Sequence, residues 1–415
     1  MNNSRLNDTK VPSKRIPILF RHSVPEIPTT TYGAFALYKY PAKFIPQVIA
    51  YVLKNFAEPD MKIFDPFAGY GTVGAVSRVY GFDYELWDLN PLLGTIHDTI
   101  LSKESSLNFT RLLNELKHSS DEFIPKWKNL DYWFPEEFLS TLIKTWGYIH
   151  TLPKNSSLQK KLTIPMINVT RYFSWCDEKV HKLYKSKYSK KKVDELLQGN
   201  WKSRFYLMLE KEIRDLLAKL EEYEFLKPKA VNYTIRHGVD TLETALDDEK
   251  HILLTSPPYL QAQEYIRSTK LGLYWLGYDD ATIRALSKKE IPYRSVDKIR
   301  IKSNLYYECK DKIDNEKLKE LYERYFHSIL KAITNLAQKI SDYLCIFIGP
   351  ASIRTVPVPI DDIIVEHMQE HGWIHDVTFI DTIVGHVMFK SRINPATGLK
   401  NKRIQYEHLA ILKKE

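Results

Sequence analysis

Two short stretches of this sequence hold residues able to do chemistry together. "TSPPYL", residues 255–260, follows the apolar run "HILL". Its proline pair fixes two φ angles and removes two N–H donors. Ser256 precedes proline and is pushed towards extended backbone. The expected result is a stiff turn at a strand end, with carbonyl oxygens that lack N–H partners in the loop. Those oxygens and the Ser256 hydroxyl can accept hydrogens from an exocyclic amine. Tyr259 adds a flat ring for stacking. Acceptors beside an aromatic plate describe a pocket for an amino-bearing base, so Ser256, Pro257, Pro258 and Tyr259 are the candidate catalytic residues.

The second stretch is "DPFAGYGTVG". Gly69, Gly71 and Gly74 match G-x-G-x-x-G, and Asp88 follows near the offset of ~20 residues at which a carboxylate meets a ribose diol. "KIF" before the loop and "YELWDLN" after it read as strands. A helix from about Val73 to Tyr80 lies between them and stops at Gly81, giving a β-α-β unit. Nicotinamide dinucleotides and S-adenosylmethionine both carry such a ribose, so the loop alone does not choose between them. Asp65 tilts the choice. It would sit poorly against the pyrophosphate of a dinucleotide and well against ammonium and sulfonium charges.

Taken together, "DPFAGYGT" and "TSPPY" resemble the amino-methyltransferases of DNA. The serine form of the second motif is similar to the cytosine-N4 enzymes of restriction–modification systems. "YPAKFIP" (40–46) resembles the family's motif over the methionine end of the cofactor, which implies roles for Tyr40 and Phe44. The glycine motif implies Asp65, Pro66, Phe67, Gly69, Gly71 and Thr72. "DLNP" implies Asp88 and Asn90 at the ribose, "HGVD" (237–240) implies Asp240 near the adenine, and "YEHLAILKK" resembles the late strand. The resemblance spans about half the chain and implies S-adenosylmethionine, double-stranded DNA, base flipping, direct methyl transfer and a partner restriction endonuclease acting on the same site. The glycine loop precedes the proline motif, an order similar to the class whose target-recognition domain lies between the two.

The target base stays open, because cytosine and adenine both present an amine beside a ring acceptor. Carbon-5 chemistry needs a cysteine nucleophile, usually after proline. Cys176, Cys309 and Cys345 follow Trp, Glu and Leu. The rival functions are an adenine-N6 enzyme, an RNA or protein amide methyltransferase, a dehydrogenase, and a nucleic-acid-binding module without catalysis.

The elements that must position these residues can be read more coarsely. The chain has 415 residues, 44% of them apolar, and a formal net charge of +9, which suits a polyanionic partner. The three cysteines match no zinc spacing. The polar N-terminus shows no signal-peptide core, and no apolar run reaches the ~18 residues of a membrane span. A cytoplasmic monomer with no metal and no membrane contact is the expectation. The expected fold is an α/β, Rossmann-like methyltransferase sheet with helices on both faces and a large helical insertion. Residues 1–30 read as an N-terminal arm, 31–100 and 231–415 as a split catalytic domain, and 101–230 as the insertion, a candidate target-recognition region. In "RYFSWCDEKVHKLYKSKYSKKK" (171–192), lysines alternate with aromatics. Lys182, Lys185, Lys187 and Lys190 are candidate DNA contacts there. Arg294 in "RSVDKIRIK", and Arg267 and Lys270 after the proline loop, are further candidates. The histidines of "EHMQEHGWIH" (366–375) form no HExxH pattern and read as ordinary surface or core residues.

Overall fold

The computed structural model describes residues 14–41, 43–102, 107–180, 182–260, 264–383 and 405–415. Ten strands occur among them: β1 Arg15–Ile18, β2 Lys62–Asp65, β3 Asp83–Asp88, β4 Tyr233–His237, β5 Lys250–Thr255, β6 Ile340–Ile348, β7 Ala351–Ile353, β8 Val356–Val358, β9 Trp373–Thr382 and β10 Tyr406–Lys414. Strands β7 and β8 form a separate hairpin. The other eight form one sheet in the order β1-β9-β10-β6-β5-β2-β3-β4. Every neighbouring pair is parallel except those made by β10, which runs antiparallel between β6 and β9. This is a Rossmann-like α/β sheet with one reversed strand near its edge.

Alternation along the central strands assigns two faces. Ile63, Ile252 and Leu254 join one buried cluster, which includes the helices Pro46–Asn55 and Thr72–Tyr80. Phe64, Leu253 and Leu344 join the other, under the helices Glu316–Ala337 and Ile360–Gln369. Burial on both faces explains why β5 reads as an unbroken apolar run. The helices between 109 and 224 are not a detached body: Leu216 and Tyr223 share a core with Val76 and Tyr84. The Tyr223 hydroxyl donates to the Ala75 carbonyl at 2.6 Å.

The β2–helix–β3 unit forms as its glycines require. Gly71, at φ +84°, supplies the left-handed turn into the Thr72–Tyr80 helix. A Cβ on Gly74 would lie 2.6 Å from the Tyr84 ring, so helix and strand approach closely only with glycine there.

One boundary needs correction. Arg15–Ile18, expected within the N-terminal arm, is a strand paired in parallel with β9. Phe20, Val24 and Ile27 behind it are fully buried. The prolines that suggest an arm are compatible with a sheet edge, where a missing N–H breaks no ladder. Residues 1–13 lie outside the described part. Among the described residues, no helix is long and apolar enough to cross a membrane.

Candidate active site

The sheet changes direction of winding at β2, which has β3 on one side and β5 on the other. Ligands of open α/β sheets bind at the carboxyl ends of the strands beside such a point. Here those ends are Asp65 of β2 and Thr255 of β5, joined by a hydrogen bond from Thr255 Oγ1 to Asp65 Oδ1 at 2.6 Å. The glycine turn and the proline turn leave the sheet from these two residues, although 190 positions separate them.

A pocket opens between the turns. Tyr40, Phe67, Gly69, Asp88, Asn90, Asp240, Ser256 and Pro258 all line it. Asp88 is fixed by backbone donors: Gly69 N–H to Oδ2 and Asn90 N–H to Oδ1, both at 2.7 Å. Asn90 is held in turn by its side-chain amide, which donates to Thr269 Oγ1 at 3.0 Å. Tyr40 closes over the glycine turn, its ring 3.3 Å from where a Gly69 Cβ would stand. Its ring stacks on Tyr265, with centroids 6.4 Å apart.

Sequence reasoning missed the wall opposite the glycine turn: Tyr265, Ile266 and Glu290. Glu290 accepts the Ile266 N–H at 2.9 Å and so ties down the first turn of the Tyr265–Trp275 helix. No motif marks it. It is a single acid before "IPYR", in a segment with no period.

Charge in and beneath this pocket is unusual. Burial pushes Asp65 and Glu290 each up to about 7, and Asp88 up to about 6, even though backbone donors pull all three down. Among the described residues no cation pairs with any of them. Lys289 at the pocket wall and Arg294 behind it pair instead with Asp240 and Glu243.

Several of the expected site residues stand off this pocket's wall. Asp65 does not line the pocket; it is 1% exposed and braces the β2–β5 junction. Phe44, two residues before the Pro46–Asn55 helix, stacks on Phe347 in the core, with ring centroids 5.4 Å apart. The Pro66 carbonyl accepts from Thr241 Oγ1 at 2.8 Å. Thr72 is buried at the helix start, away from the pocket wall, as is Gly71. In the proline turn, the Pro257 ring is buried and Tyr259 donates its hydroxyl to Glu407 of β10 at 2.6 Å, so that neither side chain forms this pocket's wall.

Arg294, a candidate DNA contact, is engaged by an acid within the protein. Its guanidinium lies 2.6 Å from Asp240 and is about as buried as its partner, with side-chain exposures of 10% and 7%. Arg294→Ala is therefore expected to cost about 3 kcal/mol of stability, by leaving a buried carboxylate short of its partner. The check is the urea midpoint. A stable variant whose DNA affinity instead lost salt dependence would restore the phosphate role.

Lys182, Lys187 and Lys190 are exposed. Lys185 is drawn over the Tyr132 ring at 3.8 Å, and Arg267 pairs with Glu264 at 2.7 Å. Lys270 is half-buried, 5.6 Å from the Tyr274 ring. Of the histidines in 366–375, His367 is buried and accepts the Lys302 N–H at 3.0 Å. Among the described residues, no group of three or more His, Cys, Asp or Glu side chains could hold a metal.

With this geometry in place, comparison with known proteins gives an informative likeness. The chain is similar to the Type II methyltransferase M.MvaI of Kocuria varians. The two are 21% identical over 408 residues, spanning 88% of this chain and 87% of the relative. The match therefore runs through both turns and the helical insertion between them. No family model matches the chain, and no solved structure does.

Proposed function

We propose that the chain is a DNA methyltransferase of restriction–modification type, which uses S-adenosylmethionine to methylate the N4 amine of a cytosine extruded from the duplex. The observation that carries this reading is that Ser256 and Pro258 share one pocket with Gly69 and Asp88. The similarity to a Type II methyltransferase along most of both chains supports methyl transfer. The choice of N4 over adenine N6 rests on Ser256 in the proline motif. The cognate duplex site, a partner nuclease acting on it and a monomeric enzyme belong to the same proposal.

The donor set suits this cofactor. Asp88 and Glu290 face the pocket without balancing cations among the described residues. They would repel a dinucleotide's pyrophosphate and attract an ammonium or a sulfonium. Asp88 would hold the ribose hydroxyls, Asp240 and Leu242 would flank the adenine, and Tyr40 would cover the glycine turn. When bound, S-adenosylmethionine supplies an electrophilic methyl group. Ser256 Oγ and the Pro257 carbonyl accept the amine's hydrogens, which favours a pyramidal and more nucleophilic nitrogen. They also stabilise the charge that develops on it. The proline pair keeps these acceptors rigid, so the alignment is set before the base arrives. Unstacking the base costs a few kcal/mol, which binding in the pocket must offset.

Methylation of plasmid DNA in cells lacking other methylases, read by nitrogen-sensitive sequencing, tests the proposal. N4-methylcytosine at one recurring sequence is expected. N6-methyladenine would reassign the base, and unmodified DNA would defeat the reading.

The carboxylates also set a pH dependence. A cationic ligand favours their ionised forms, so protons held by Asp88 and Glu290 must leave on binding. Their ligand-free pKa values are raised to about 6 and about 7. Affinity should therefore rise with pH through that window and level off above it. Calorimetry in buffers of different ionisation enthalpy should show proton release near pH 6 and little near pH 8. Affinity that is flat with pH would exclude these groups as the cation's partners.

A further inference from the structure

A second concavity, of about 560 Å³, lies on the other side of the Tyr265–Trp275 helix, within the ~300–1,000 Å³ typical of ligand clefts. That helix is a shared wall. Tyr265 and Ile266 line the inner pocket, while Arg267 and Lys270 line the outer groove. The helical insertion provides the opposite wall: Trp127, Tyr132 and Trp133. Arg171 ties the two walls together through the Ser268 carbonyl at 3.5 Å.

The aromatic side of the groove is built to be rigid. Trp127 stacks on Tyr274 at 4.4 Å, with 9° between the planes, and on Trp133 at 6.3 Å and 18°. Trp127 is 5% exposed, and its indole N–H finds no acceptor among the described residues. Tyr132, by contrast, is 57% exposed. The Lys185 ammonium lies 3.8 Å from the Tyr132 ring and 5.3 Å from Trp175. Burial pushes the Lys270 ammonium towards losing its proton; Asp280 opposes this, while the nearby cations Arg284, Arg267 and Lys128 add to it. Glu264 is the one acid lining the groove among the described residues, and Arg267 holds it.

An open aromatic face, a surplus of cations and a buried donor short of an acceptor fit a strand with exposed bases and phosphates. They fit an intact duplex less well, since its ring faces are covered. We infer that this groove binds an unpaired stretch of nucleic acid next to the extruded base, stacking it on Tyr132 and Trp133 and holding its phosphates with Lys185, Arg267 and Lys270. The inference rests on the nucleic-acid reading above and adds a second, sequence-tolerant contact to it.

Fluorescence anisotropy with a labelled oligo-thymidine tests it directly. Loss of one stack in Tyr132→Ala should weaken binding roughly five- to hundredfold. Lys185→Ala should lower the slope of log affinity against log salt by about 0.7. Both side chains lie away from the inner pocket, so S-adenosylmethionine affinity, measured by calorimetry on the same samples, should not move. Binding by both variants at the wild-type level would overturn the inference. Competition by poly-glutamate as strong as that of the oligonucleotide would do the same, because a bare polyanion has no rings to stack. If the wild type binds the oligonucleotide yet leaves plasmid DNA unmodified, the groove stands and the methyl-transfer reading falls. Methylation with no oligonucleotide binding would sink the groove and leave methyl transfer standing.

Discussion

Ser256→Ala is expected to slow methyl transfer about a hundredfold or more while leaving S-adenosylmethionine affinity unchanged. The loss matches removal of one preorganised polar group at a site of developing charge, typically about 10²–10³ in rate. The geometry makes this a clean substitution. Ser256 stands at the pocket wall, while the residue before it is locked by the Thr255–Asp65 hydrogen bond and the two after it by their rings. Alanine keeps the extended backbone that proline demands of its predecessor. The turn should therefore persist and only the hydroxyl disappear. Single-turnover transfer with saturating cofactor and DNA isolates the step. A rate within a factor of two of wild type would remove the hydroxyl from the mechanism and leave the neighbouring carbonyl as the sole acceptor.

The second large effect is expected at Asp88. Its carboxylate accepts from Gly69 and Asn90, and under the proposed function it has a second job, offering the acceptors that a ribose needs. Asp88→Ala abolishes both. Hydrogen bonds to charged groups contribute ~1.5–3 kcal/mol each, so loss of two ribose contacts should weaken cofactor binding at least about a hundredfold. Asp88→Asn separates the jobs. An amide oxygen can still accept one backbone N–H, so the turn should hold while the negative charge is gone. Binding by the asparagine variant should be intermediate, and its rise between about pH 5.5 and 7 should become shallower, with Glu290 alone remaining to titrate. Equal affinity in all three proteins would place the ribose elsewhere.

What can be read from sequence is largely local. The β2–helix–β3 unit is legible because the glycines, Asp88 and the flanking apolar runs lie within 30 positions, and each constrains the backbone by itself. The proline turn is legible for the same reason. What escapes depends on partners far along the chain. Arg294 looks like a phosphate ligand in a basic stretch because the acid that claims it lies 54 positions upstream. Phe44 looks like a pocket residue by its motif, but Phe347 draws it into the core. Glu290 is silent because its role is set by an N–H on another element. Asp65 is the subtler case. Its charge suggests a residue facing a ligand, yet Thr255 at the neighbouring strand's end engages it.

The four residues of β1 have a consequence for the protein's colloidal behaviour. Strand β9 is ten residues long and would otherwise present an open row of hydrogen-bonding groups to solution. The short β1, with Pro17 in it, covers part of that row and is itself a poor template for another copy. A truncation designed to trim an apparently dispensable leader past residue 18 would uncover it. Such a protein should precipitate during purification with its catalytic cleft intact, and the fault could easily be blamed on misfolding of the active centre.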